Sequence, residues 1–378
     1  ERTIFPEYLY DPGLFFDEDG KVYVVHGQGT LYLTELNSDV KSVKGKPVKI
    51  WQGGFKNAHE LGGGFGMEGS HMYRINGKYY ITCPAGGTGG WQICLRSDNI
   101  YGPYEHKLIM NDWSSYPKNG LHQGGMVQLK NGDWWFMIMQ DRGPIGRVPC
   151  LVPVKWIDGW PMLGDEGKDL ITYPKPATGK KSKIKSPATT DEFNASQLGL
   201  QWQWNHNPDN SRWSLKERKG YMRLYASQAS TLKDARNTLT QRVQGPSCEG
   251  SVEMEVTGLK DGNIAGFGIF EFPYAYVAIR QESGRRKIVM CNDGKDIETV
   301  EHFNGDKLWI RVRATDKEFK ALFYYSLDGV NYKRIGNELQ MGLGLPWTAN
   351  RFALFNFNTT PQGNNGYADF NWFRFTNK

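Results

Sequence analysis

"MEGSHMYRINGKYYIT", Met67 to Thr82, sets a carboxylate, Glu68, at the head of an apolar strand that turns at Asn76-Gly77 and returns as a second apolar strand. Two β-rich runs, His71 to Tyr73 and Tyr79 to Thr82, are joined by Asn-Gly, a pair that tolerates the positive φ angles of a type I′ turn, so the stretch predicts a β-hairpin. The pattern returns as "DPGLFFDEDGKVYVV" from Asp11 and as "QGGMVQLKNGDWWFM" from Gln123. In each copy a polar residue stands nine positions before the hairpin glycine: Asp11 before Gly20, Glu68 before Gly77, Gln123 before Gly132. The spacing between copies, about 55 residues, suits one four-stranded propeller blade with its loops rather than a helical repeat.

In a propeller the innermost strand of every blade lines the central channel, so equivalent positions of different blades become neighbours. Asp11, Glu68 and the His122-Gln123 pair are therefore expected to ring one end of the channel. Two carboxylates facing a polar cleft suit acid/base hydrolysis, one held protonated while the other is ionised. Either residue alone also fits a turn or capping role; their matched register favours the functional reading.

The chain has 378 residues, length for two or three cores. Its 45 Gly, 18 Pro and 13% aromatic content, with many Asp-Gly and Asn-Gly turns, point to an all-β protein. No apolar run approaches a membrane span, so a soluble chain without membrane contact is expected. The formal charge is only +6, and the one basic run, "GKKSKIKSP" from Gly179, is better explained as a solvated linker than as a nucleic-acid contact. The 13 Trp and 19 Tyr fit both sugar recognition and ordinary β cores. Five cysteines, odd in number and without a C-x-x-C pair, indicate buried thiols rather than a zinc site or a disulfide framework. P-loop, Rossmann, G-x-S-x-G and H-E-x-x-H signatures are absent. A first residue other than Met, without a hydrophobic leader, suggests a processed or trimmed start and suits a bacterial periplasmic or secreted protein; unpaired cysteines suit the cytoplasm.

Blade-like sequence extends to about Tyr173, where "YPKPATGKKSKIKSPATT" crosses to a different pattern. From Asp191 onward, alternating strands such as "SVEMEVTG", "YAYVAIR" and "KLWIRVRA" alternate with turns at Asp261-Gly262, Asp293-Gly294 and Asp328-Gly329, which predicts a β-sandwich. The aromatic cluster "QWQWNHNPDNSRW", Gln201 to Trp213, is expected to seal that sandwich or a domain interface, with a sugar platform as the alternative.

Five stretches together, "YDPGLFFDEDGKVYVVHG", "MEGSHMYRINGKYYI", "HQGGMVQLKNGDWWF", "VPVKWIDGWPML" and "LQWQWNHNPDNSRWSL", resemble glycoside hydrolase family 43, in particular its β-xylosidase and α-L-arabinofuranosidase members. The resemblance covers nearly the whole chain. It implies a five-bladed β-propeller over residues 1–175 (blades two to five), a linker over 176–190 and a concanavalin-like β-sandwich over 191–378. Glu68 is similar to the general acid that protonates the leaving oxygen. Asp11 is similar to the second carboxylate, which orients the acid and favours its protonated form. His122 resembles the channel histidine, next to a calcium ion or a water cluster; water or a structural hydrogen bond would serve there as well. Arg147, with Arg142 as the alternative, resembles the arginine of the sugar subsite. Phe65 is a candidate subsite wall, and the turn from Pro346 to Phe352 is the expected reach of the sandwich toward the pocket, with Phe352 as a substrate contact.

One departure stands out. Family members carry the aspartate general base on a blade that precedes the motif at Asp11, and this sequence begins ten residues before Asp11. The resemblance therefore implies a first blade outside this sequence, whether a separate N-terminal segment, a proteolytic loss or a truncation, and no Asp is assigned as base. The implied reaction is inverting hydrolysis of xylose- or arabinose-containing glycosides of plant hemicellulose, on xylo-oligosaccharides or arabinoxylan fragments, with no required cofactor. A non-catalytic carbohydrate-binding protein of the same fold is the alternative.

Overall fold

The structure is a computed structural model that describes residues 7–52, 66–85, 91–111, 120–167, 172–179, 183, 185–342, 348–361 and 365–378. Its contacts divide the chain into two compact units. The first comprises Glu1–Asp141 and Val148–Ser182, the second Arg142–Arg147 and Lys183–Lys378. The main division thus falls within the expected linker, while the short excursion at Arg142–Arg147 was not expected. Apart from one 3-10 turn, Gly143–Ile145, the described residues form strands and loops, and no helix is long and apolar enough to cross a membrane.

Among the described residues the first unit holds three antiparallel four-stranded sheets. The first contains β1 (Gly13–Phe16), β2 (Val22–Gln28), β3 (Thr30–Leu36) and β4 (Val48–Gln52). β5 (His71–Ile75), β6 (Lys78–Ala85), β7 (Trp91–Ser97) and β8 (Glu105–Asn111) form the second. The third consists of β9 (His122–Gln128), β10 (Trp134–Asp141), β11 (Arg147–Ile157) and β12 (Trp160–Leu163). Each is a meander in sequence order, and each opens on one of the three repeats. Where the sequence suggested blades two to five, the described residues form three blades. The residues between Leu163 and the sandwich supply no fourth sheet among those described.

Local turn chemistry sets the hairpins. Asn76 and Gly77 take φ of 50° and 79°, and the register Ile75↔Lys78 closes the two-residue turn expected of Asn-Gly. Period-2 alternation then builds the interior between blades. Tyr79 faces the first sheet, in one core with Phe15, Tyr23, Val25 and Leu33. Its neighbour Tyr80 faces the third, in a core with Met126, Phe136 and Val154. Buried Asp17 joins the first and second sheets, accepting hydrogen bonds from Tyr79 Oη at 2.8 Å and Arg74 Nη1 at 3.2 Å. Among the described residues, both outer faces of this three-blade set keep some apolar side chains exposed, although Leu9, Val40 and Val43 cover Val22 and Val24 on the first. Leu14 and Phe16 are 49% and 64% exposed on the first sheet, and Val127 and Met137 are each 50% exposed on the third.

The second unit is a sandwich of two eight-stranded sheets around a large apolar core that includes Phe267, Phe323, Phe370 and Phe373. The aromatic cluster seals it. Trp202 is buried against Phe193 and Phe373 and donates to Asp191 Oδ2 at 2.8 Å, and Trp204 packs on Trp213 at the core's edge. All five cysteines are free thiols, four buried and Cys150 half-buried.

Candidate active site

Three blades deliver side chains to one place. Asp11 lies two residues before β1, Glu68 three before β5, and Gln123 is the second residue of β9. The approach to β5 is tightly wound, with φ of 145° at Gly66, 63° at Met67 and 59° at Gly69, and it is pinned by Gly29 N to Gly66 O at 3.0 Å and Met67 N to Pro84 O at 2.6 Å. Asp11 and Gln123, equivalent in the repeat, share the left-handed conformation with φ of 46° and 57°. Both reach toward Gly69. A Cβ there would collide with Gln123 Nε2 and stand 3.1 Å from Asp11 Oδ2, so the glycine makes room for the convergence.

Glu68 is half-buried, and Gln28 Nε2 at the end of β2 donates to its Oε2 at 2.6 Å. Tyr10 stands in the same field: the Glu68 carboxylate, with burial and Asp11 adding, pushes the phenol above its ordinary range. His71, the first residue of β5, is exposed, though neighbouring atoms bury part of its ring. That burial pushes its imidazole below the usual value, against the pull of Asp11, so it is neutral at neutral pH. The cluster offers a carboxyl with one oxygen held by an amide, a second carboxylate, a phenol and a neutral imidazole. Those are the parts of a proton-donating site.

Other expectations fare differently. His122 is 3% exposed, and its Nε2 lies 2.9 Å from Asp141 Oδ2 across the first and last residues of a hairpin. So held, it presents little surface to a sugar. A calcium ion asks for six to eight oxygen ligands. Among the described residues no three His, Cys, Asp or Glu side chains gather as a metal cage. Arg147 opens β11, and Arg142 precedes the 3-10 turn; both fall in the segment counted with the second unit, whereas Asp11, Glu68 and Gln123 belong to the first. Phe352 is a correction. It is fully buried at the centre of the sandwich, with its ring stacked on Phe267 at 5.7 Å, so it packs a core and presents nothing to substrate. Phe65, and the Pro346-Trp347 part of the proposed turn, lie outside the described residues.

Sequence reasoning missed Gln28, Tyr10 and His71. The available signal for Gln28 was its flanking glycines, Gly27 and Gly29, both with positive φ (118° and 70°), a backbone bent at a strand end to present the side chain between them.

Comparison with known proteins supplies relatives for both units. Residues 4–161 match the model of "Glycosyl hydrolases family 43", and residues 190–376 match "Beta xylosidase C-terminal Concanavalin A-like domain". A putative beta-xylosidase of Xylanibacter ruminicola is 33% identical over 350 residues, 88% of this chain and 62% of its own. A beta-xylosidase of Formosa agariphila is 30% identical, with 98% of this chain and 70% of the relative covered. Among solved structures, a bifunctional GH43-CE of Bacteroides eggerthii superposes with a TM-score of 0.87 at 38% identity, covering all of this chain and 49% of that one. The chain thus spans under two thirds of the Xylanibacter relative and about half of the Bacteroides chain.

Proposed function

The chain belongs to glycosyl hydrolases family 43, and from that premise we propose that it works as an inverting glycosidase on xylose-terminated chains, with arabinofuranosyl ends as the alternative substrate. The observation that carries this reading is the convergence of Asp11, Glu68 and Gln123 at Gly69, with the Gln28 amide on Glu68. Protonated Glu68 donates to the glycosidic oxygen as the C–O bond breaks. Because Gln28 Nε2 occupies Oε2 as acceptor, the transferable proton rests on Oε1. Asp11 and Gln123 bound the cluster from the first and third blades.

Inversion also needs a base that activates water on the opposite face of the sugar, with its carboxyl roughly 6.5–9.5 Å from the acid. We place that base on a further blade covering the exposed side chains of Leu14 and Phe16. Xylo-oligosaccharides or arabinoxylan fragments are the substrates this arrangement suits.

The test is hydrolysis of an aryl β-D-xylopyranoside and an aryl α-L-arabinofuranoside. Glu68→Gln is expected to lower kcat by about 10²–10⁴-fold while sugar binding survives, and the rate ratio names the sugar. Sugar binding without turnover, even with a further blade supplied, would overturn hydrolysis in favour of a binding protein.

A further inference from the structure

On the sandwich, the sheet face turned away from the main core carries a second apolar cluster, including Ile264, Tyr274, Tyr276, Phe355 and Phe357. Residues 229–235 cover part of it, contributing Ala229, Leu232 and Ala235. A cleft of about 210 Å³ opens in the remainder. Strand pairing explains its composition. Tyr276, Cys291 and Asp296 stand opposite one another on three adjacent strands, so they form one row on one face. Arg280 follows four residues along from Tyr276 on that same face, with only the methyl group of Ala278 between them.

Three properties define a ligand. The first is size: 210 Å³ is below the roughly 300–1,000 Å³ of drug-sized sites, which leaves room for one small ring. The second is charge. Arg280 is held bidentately by Asp296 at 2.6 and 3.0 Å, with Glu282 at 3.9 Å, so the lining has no free cation for an anion and carries a surplus carboxylate against one. The third is mixed polarity. Tyr274 has its ring buried, at 3% exposure, and brings its hydroxyl to the cleft beside Gly294, where it is available to a ligand. Around it stand the apolar edges of Ile264, Phe357 and Tyr276 and the hydroxyl of Thr231. A pyranose presents the same combination of hydroxyls and C–H faces. Burial pushes the Cys291 thiol up, so it lines the cleft as an inert apolar group.

We propose that this cleft is a second, non-catalytic sugar subsite that holds a single neutral pyranose ring. The choice of xylose as probe rests on the proposed function; the subsite itself does not. The experiment uses the full chain carrying Glu68→Gln, so that the probe is not consumed, and measures binding of D-xylose, xylobiose and glucuronate by ligand-observed NMR and calorimetry. Thr231→Trp, which fills the mouth, is expected to abolish the cleft's share of xylose binding. Tyr274→Phe, which keeps the ring and removes the hydroxyl, should weaken that share about three- to tenfold. With Glu68 restored, both substitutions leave turnover of the aryl xyloside unchanged. Equal binding of xylose by the parent and both variants would overturn the subsite, as would equal binding of glucuronate. Absence of hydrolysis with cleft binding intact would sink the catalytic reading alone.

Discussion

A carboxyl group that must release one proton toward one place needs its second oxygen committed elsewhere. In this chain the commitment is Gln28 Nε2 on Glu68 Oε2, at 2.6 Å. Gln28→Met keeps the length and removes the donor, leaving Glu68 free to turn and to carry its proton on either oxygen. A hydrogen bond to a charged group is worth about 1.5–3 kcal/mol, so kcat is expected to fall about ten- to a hundredfold with KM nearly unchanged. Steady-state kinetics on the aryl xyloside separates the two: a rise in KM alone would make Gln28 a binding residue. Glu68 and Asp11 were legible in the sequence because repetition put them nine residues before a hairpin glycine. Gln28 was not, because its contact crosses forty residues from one blade to the next and no repeat marks it. Phe352 misled for a related reason. Alternation tells that Phe352 and Leu354 share a face, but an aromatic near a turn carries no mark of which face, and the sandwich core took it.

At the scale of the strand, β2 carries the single histidine of the first blade's described residues. His26 is 5% exposed, lies 2.9 Å from Thr34 Oγ1 on β3 and stacks on Tyr32 with ring centroids 5.8 Å apart. Among the described residues no charged partner offsets its burial, which lowers its pKa from the usual 6.5. The unfolded chain therefore binds more protons than the folded one as pH falls below the ordinary histidine value, and folding stability is lost on acidification and retained above it. His71, shifted in the same direction, titrates alongside. The propeller's melting temperature is expected to fall from pH 7 to pH 5, and His26→Gln should flatten part of that slope without altering the sandwich. Calorimetry at a series of pH values decides; a slope unaffected by the substitution would place the linkage at His71 or elsewhere. The strands themselves were readable from sequence to within a few residues. Turn pairs such as Asn76-Gly77 act locally, and period-2 alternation requires no knowledge of partners. Blade number was not, since it depends on which sheets stack, and the segment beyond Leu163 looked blade-like without forming a sheet among the described residues.

Over the described residues of the first unit, each inter-blade core is closed, while the outer faces at its two ends are only partly covered, on the first sheet by Leu9, Val40 and Val43. On the first sheet, the pairs Leu14↔Val24 and Phe16↔Val22 put four apolar side chains on the face opposite Phe15 and Tyr23, and a groove of about 410 Å³ runs beside them between Leu9, Leu14, Val24 and Val40. On the third sheet, Val127 and Met137 stand on the face opposite Met126 and Phe136. Faces of this kind either meet another blade or drive association, because soluble surfaces rarely leave such patches uncovered. The double substitution Leu14→Lys/Phe16→Lys separates the cases. In the 378-residue chain alone it should reduce dye binding and self-association, read by sedimentation velocity, and leave the melting temperature where it was. In a protein that has a further blade on this face, the same pair should cost about 1.5–3 kcal/mol for each buried side chain and abolish hydrolysis by displacing the base that blade carries. Loss of stability in the chain alone would mean that its own residues already cover the face, and the base would then have to be sought within the three blades.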